Sequence, residues 1–208
     1  MTKNKTINIG AHSAQFTDLN VKGEQMKIDG ESFYKISNVN GMRPFFMSIV
    51  SHSNHWMFIS STGGLSAGRK DCDLALFPYY TDDKITDSFE TTGSKSIFLV
   101  EKNSQTFLWE PFSMRHVSLY KISRNLYKNA FGNKVIFEEI NLDLEVSFTY
   151  EWNSTDRYGF VRKSLLSNVG TSRVKVQFID GIQNVLPCGI EQALQNSTSN
   201  LVDAYKRT

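Results

Sequence analysis

Leu142, Leu144, Val146, Phe148, Tyr150 and Trp152 occupy every second position, and Asp143, Glu145, Ser147, Thr149 and Glu151 lie between them. A period of two is that of a β-strand with one buried and one wet face. Upstream, Lys134 to Ile140 reads as a partner strand, and Asn141 is the turn residue that makes the pair a hairpin. Downstream, Asn153 to Asp156 predicts a turn and Tyr158 to Ser167 a strand. A turn through Gly170 follows over Asn168 to Ser172, then a third strand over Arg173 to Ile179. The expectation is an antiparallel meander.

Shorter alternating or aromatic runs predict further strands at Phe33 to Ser37, Pro44 to Val50, Trp56 to Ser60, Ser96 to Glu101 and Thr106 to Trp109. Arg115 to Tyr127 reads as one long strand, with a helix as the alternative. Helical pattern is confined to the end, where Gly189 to Gln195 and Leu201 to Arg207 flank the polar spacer Asn196 to Asn200. The predicted fold is all-β, an antiparallel β-sandwich over residues 1–208 as a single domain, with a short helical segment near its C-terminal end. The final AYKRT has no glycine cap and no closing strand, which leads to the expectation that these 208 residues are the first part of a longer protein.

Composition narrows the classes of function. With 40% hydrophobic residues the chain can bury a sizeable core. Its 23 basic residues are dispersed and nearly balanced by 21 acidic ones, so the basic stripe of a nucleic-acid binder is missing and nucleic acid is not an expected partner. The N-terminal MTKNKTINIGAHSAQ has no apolar run behind its lysines, and no window has the length of apolar sequence that crosses a bilayer. A soluble, unexported protein without a membrane partner is the expectation. Cys72 and Cys188 are the only cysteines, too few and too far apart for a disulfide scaffold, and neither has a histidine or second cysteine at metal-ligand spacing. Both read as reduced thiols, and neither a metal nor another cofactor is expected.

Ser61 to Ile85, STGGLSAGRKDCDLALFPYYTDDKI, mixes glycines, acids, an arginine and aromatics without any simple period, and reads as a shaped loop. Gly63, Gly64 and Gly68 give the backbone freedom, and Pro78 stiffens the exit. Trp56, Phe77, Tyr79 and Tyr80 offer flat surfaces beside Arg69, Asp73, Asp82 and Asp83. A sugar ring needs that combination, since its C–H face stacks on aromatics while its hydroxyls demand paired hydrogen-bonding partners. The plainer reading is that these aromatics cap the core.

Other candidates carry less. His52 and His55 are three apart at a strand entry, so alternation sends them to opposite faces, away from a shared metal. His116 with Glu138 or Glu139 would supply the acid and base of a sugar mutarotase. The adjacent pairs Asp82–Asp83 and Glu138–Glu139 are poorly placed for a glycosidase, whose two carboxyls flank the scissile bond about 5–9 Å apart. No nucleophile elbow, Walker loop or dinucleotide fingerprint occurs. Asp180, Gln183 and Asn184 read as polar ties between the sandwich and whatever follows it.

Taken as an ordered set, HWMFISSTGGLSAGRKDCDLALFPYYTDDKI (His55 to Ile85), FEEINLDLEVSFTYEW (Phe137 to Trp152), YGFVRKSLLSN (Tyr158 to Asn168) and DGIQNVLPCGIEQALQ (Asp180 to Gln195) resemble the N-terminal β-sandwich domain of bacterial proteins related to cellobiose phosphorylase. The resemblance implies a galactose-mutarotase-like supersandwich, followed in complete enzymes by a helical linker and an α/α barrel that holds the general acid and the phosphate site. It also implies that the sandwich is noncatalytic, shapes one side of the sugar site and takes part in a homodimer, with the loop reaching a neighbouring active site placed in Ser61 to Ile85. The expected partners are an oligosaccharide or sugar phosphate, the catalytic barrel and a second copy.

The function expected from the sequence is therefore that of a noncatalytic carbohydrate-binding and assembly module of a cytoplasmic glycoside-phosphorylase-like protein. Trp56, Arg69, Asp73, Tyr79 and Asp83 are the candidate contacts to sugar or barrel. The alternatives are a self-standing mutarotase or epimerase built on His116 and a glutamate, and a pure protein-interaction module.

Overall fold

A computed structural model describes residues 7–16 and 20–198. Fifteen strands follow one another among these residues: β1 Asn8–Ile9, β2 His12–Ser13, β3 Lys22–Ile28, β4 Glu31–Ser37, β5 Phe46–Ile49, β6 His55–Ser60, β7 Leu65–Arg69, β8 Ala75–Phe77, β9 Gly93–Lys102, β10 Gln105–Trp109, β11 Ile122–Asn129, β12 Lys134–Asn141, β13 Val146–Thr155, β14 Gly159–Asn168 and β15 Lys175–Gln183. A short α-helix interrupts them, α1 Asp82–Asp87, and a second follows β15, α2 Gln192–Ser197. The chain is all-β and antiparallel throughout.

One layer is a six-stranded sheet of order β14-β13-β12-β11-β4-β3. Against it stand a four-stranded sheet, β5-β6-β7-β8, and a three-stranded sheet, β10-β9-β15. Alternation decides which side chains lie between the layers. In β12 Val135, Phe137, Glu139 and Asn141 are buried, and in β13 Val146, Phe148, Tyr150 and Trp152 are. They share one core cluster with Met57, Ile59, Leu65 and Phe77 of the four-stranded sheet and with Phe98, Val100 and Trp109 of the three-stranded one. Phe98 lies 5.0 Å from the Phe148 ring, and Phe77 meets Trp152 edge-on at 6.2 Å. Fully burying side chains of this size contributes roughly 1.5–3 kcal/mol each, so this seam holds the layers together.

The β12–β13 hairpin and the shorter predicted strands are present, with several corrections. The β13 strand begins at Val146, because Leu142 to Glu145 is a turn in which Asn141 Oδ1 accepts from the amides of Asp143 and Leu144. It also runs through Thr155, so the next turn is confined to Asp156, Arg157 and Tyr158. The third strand of the expected meander leaves its neighbours: β15 pairs with β9 in the opposite layer, not with β14. Residues 115–119 form turns, and strand structure starts only at Ile122. Helix α1 is an addition to the helical pattern expected only near the end. The helix read at Gly189 to Gln195 starts at Gln192, while that read at Leu201 to Arg207 lies outside the described residues.

The segment Ser61 to Ile85 is not a single loop. It contains β7, β8 and the start of α1. Ser66 and Ala67 in β7 are fully buried, and Gly68 leaves room for a large neighbour: a Cβ there would stand 2.5 Å from Trp56 Cζ2 and 2.7 Å from both the Ala75 Cα and the Leu74 carbonyl. Small residues buried this tightly show no apolar period, which hides the strand.

Candidate functional site

Where the four-stranded sheet meets the first residues of β14, the two layers part and leave an open mouth. His55 begins β6 on the same face as Met57 and Ile59, and the register sets it opposite Arg69 at the end of β7. Across the mouth, the ring of Phe160 meets His55 edge-on at 5.3 Å. Gly159 stands beside it at φ 72°, where a Cβ would come within 3.2 Å of His55 Nε2, so the turn needs glycine both for its backbone angle and for the closeness of the imidazole. The other imidazole nitrogen, Nδ1, is 2.7 Å from Ser53 Oγ. His52, outside the strand, bonds Asp156 at 2.9 Å. Both histidines therefore reach the same hairpin, contrary to the expectation that alternation would part them; His52 precedes the strand, so its alternation does not apply.

The third wall is the segment after β15. The Leu186 amide donates to the Leu76 carbonyl at 2.8 Å, and the Gln192 amide donates to Asp73 Oδ1 at 3.0 Å. Cys72 Sγ donates to Gln192 Oε1 at 3.2 Å; Cys72 and Cys188 are both free thiols. Together the walls enclose a groove of about 640 Å³, lined by His55, Arg69, Lys70, Asp73, Asp156, Arg157, Tyr158 and Phe160 among others.

The charges in the groove are unevenly satisfied. Asp73 is bonded by the Gln192 amide and Asp156 by His52. Among the described residues Arg69 has only a long 3.5 Å side-chain contact, to Asn54 Oδ1, and Arg157 lies over the Tyr158 ring at 5.2 Å. Among the described residues none of the cations Arg69, Lys70 and Arg157 has a carboxylate within ion-pair distance. Tyr158 is 70% exposed, so its ring presents a large apolar surface at the rim.

Of the residues singled out from the sequence, Arg69 and Asp73 line this groove. Trp56 and Tyr79 lie elsewhere. Trp56 points to the opposite face of β6 from His55, packs over Gly68 and donates its indole N–H to the Asp71 carbonyl at 3.2 Å. Tyr79 meets it edge-on at 5.6 Å, and Phe58 and Phe46 continue the aromatic row along the outer face of the sheet. Asp83 sits exposed in the first turn of α1 and accepts from Thr81 Oγ1. That bond and the backbone amides hold its carboxyl below the usual range, as suits a helix start.

The glutamates of the mutarotase alternative are committed within the fold. Glu138 and Glu139 face opposite sides of β12, and each carboxylate is engaged: Glu138 by Asn125 and Tyr127, Glu139 by Trp109, Arg124 and the Phe112 amide. His116 lies in the 115–119 turns, not in a strand. The polar residues Asp180, Gln183 and Asn184 tie β15 inward, to Arg162, the Glu90 carbonyl and Thr92 respectively.

Sequence reasoning missed His55, Lys70, Arg157 and Tyr158 as groove residues. The signal available for the last two was the turn Asp156-Arg157-Tyr158 before Gly159, where a positive φ sharpens the hairpin. Nothing local tells that this tip faces β7. Among the described residues there is no group of three or more His, Cys, Asp or Glu side chains that would hold a metal ion, and no helix is long and apolar enough to cross a membrane. No family model matches the chain, and no curated protein matches it either.

Proposed function

We propose that this chain is a noncatalytic carbohydrate-binding and assembly module of a cytoplasmic glycoside-phosphorylase-like enzyme, and that the groove at the sandwich mouth is its sugar site. The observation that carries the reading is the groove itself. An exposed aromatic ring stands beside arginine, lysine, aspartate and histidine side chains, on a scale of about 640 Å³. Saccharide recognition uses that pairing of a flat apolar surface with polar groups of both kinds. Arg69 and Asp73 keep the role expected from the sequence, while Tyr158 replaces Trp56 as the stacking surface. The assembly part of the reading is supported by the outer face of the three-stranded sheet, where Leu99, Leu108 and Ile179 are 41%, 45% and 74% exposed.

The test is a titration of the 208-residue chain with oligosaccharides, followed by amide and side-chain NMR shifts. Residues 69–73 and 156–160 shift together, and Tyr158→Ala abolishes the effect. Shifts confined to other surfaces, or none with any saccharide, overturn the reading. In parallel, the optical rotation of a fresh solution of pure anomer decays at its spontaneous rate. Acceleration that is lost in His116→Ala establishes the epimerase instead.

A further inference from the structure

Given a sugar site in this groove, on which the following rests, the distribution of charge there names the class of sugar. We infer that the groove selects an acidic saccharide, a uronate-bearing oligosaccharide whose carboxylate is received by Arg69, Lys70 and Arg157. Three cations and two carboxylates line the groove, which leaves one positive charge in excess. The carboxylates are already engaged within the protein, Asp156 by His52 and Asp73 by the Gln192 amide, whereas the three cations have no carboxylate partner among the described residues. A neutral sugar would leave these cations to water. An anion supplies the missing partner, and arginine forks match a planar carboxylate with two parallel hydrogen bonds.

The size of the excess favours a monoanion over a phosphate dianion. One surplus positive charge balances one carboxylate, and Asp73 and Asp156 at the walls repel a second negative charge. The ring of Tyr158, half of an arginine–aromatic pair with Arg157, places a stacking surface beside the anion site. The two elements of a uronate, its flat sugar face and its carboxylate, thus meet neighbouring counterparts. Lys70 is held at the strand end in the left-handed region, φ 58°, by its backbone N–H, which donates a hydrogen bond to the Asn54 carbonyl at 2.8 Å, so its position is set by the backbone and not by a salt bridge.

The experiment compares an oligosaccharide that carries a single uronate with the methyl ester of the same oligosaccharide, by calorimetric titration of the 208-residue chain at low salt. The pair differ in charge and not in ring stereochemistry or linkage. The acid form binds at least tenfold more tightly, and the advantage shrinks as salt is raised. Arg69→Gln and Arg157→Gln each weaken the acid form severalfold and the ester by less, so that the preference for acid over ester falls, with unaltered thermal midpoints. Lys163→Gln, a cation on β14 outside the groove, changes neither. Equal binding of acid and ester overturns the inference while sparing the sugar site. Tighter binding of a hexose phosphate than of the uronate overturns the monoanion assignment. An equal loss in Lys163→Gln shows attraction to the whole surface and overturns the groove as its origin. Absence of binding by every saccharide overturns both this inference and the function on which it rests.

Discussion

Charged residues occur in two settings in this protein, between the sheets and at their open mouth, and the two are built to opposite plans. Between the sheets, Glu139 is 2% exposed and accepts from Trp109 Nε1 at 2.8 Å, the Phe112 amide at 2.7 Å and Arg124 Nε at 2.7 Å. Arg162 grips Asp180 with both arms of its guanidinium, at 2.9 and 2.7 Å, while Ser96 and Ser164 each bond the same carboxylate at 2.6 Å. Glu90 is bonded by Lys95, Ser113 and the Met114 amide. These charges are closed circuits linking the layers, since Trp109 and Asp180 come from one and Glu139 and Arg162 from the other. At the mouth, Arg69, Lys70 and Arg157 are left open. A buried charge must find its partners within the chain, whereas an exposed one can wait for a ligand.

The interior circuit also explains a strained residue. Phe112 has φ 65°, uncommon for a side chain of its size, and its amide points at Glu139. The carboxylate holds the turn in that conformation, and the ring packs edge-on to Tyr150 at 5.1 Å.

Removing one member of a closed circuit should have the largest effect. Glu139→Ala leaves the half-buried Arg124 without its carboxylate and orphans the Trp109 and Phe112 donors, so chemical denaturation should show a loss of roughly 3–5 kcal/mol. Gly64→Ala tests the seat of α1 beside the four-stranded sheet. Its Cβ would meet the Ile85 carbonyl oxygen at 2.0 Å and the Phe89 amide at 3.0 Å, both backbone atoms, and overpacking of this kind costs about 1–3 kcal/mol.

Acid provides a gentler break. Burial pushes the Asp180 carboxyl up, but the bonds from Arg162, Ser164 and Ser96 together outweigh it and hold the pKa at about 2, against an ordinary 3.8. A depressed carboxylate stabilises the fold above its unfolded pKa, and that contribution is lost as pH falls from about 4 through about 2. After allowance for partial exposure it amounts to about 1–2 kcal/mol, and Asp180→Asn should flatten this part of the stability profile. The smallest effect belongs to the mouth. Arg157→Gln and Tyr158→Ala should change stability by no more than about 0.5 kcal/mol while weakening saccharide binding, and a larger loss of stability would show that the mouth belongs to the structural circuit after all.

The contrast between the two settings was only partly legible in the sequence. The β12–β13 pair could be read because bulky side chains stand at every second position from Leu142 to Trp152. The β7 strand could not, because Ser66, Ala67 and Gly68 are buried by virtue of being small, and small residues look like loop residues until their neighbours are known. Arg69 and Asp73 were visible as a cation and an acid near aromatics. Trp56 carried the same signal, yet its indole is spent on Gly68 and the Asp71 carbonyl. Arg157 and Tyr158 looked like ordinary turn residues.

Local pattern by itself determined the all-β class, most of the strands and the residues that face inward in the clearest of them, since a period of two depends only on the chain's own pleat. The tertiary structure alone decided that β15 crosses to pair with β9, that Glu139 is a clasp between layers, and that the β13–β14 turn meets the end of β7 to form a groove. Those outcomes depend on partners distant in the chain: Arg162 and Asp180 are 18 residues apart, Asp73 and Gln192 are 119 apart, and periodicity names a face without naming who stands opposite.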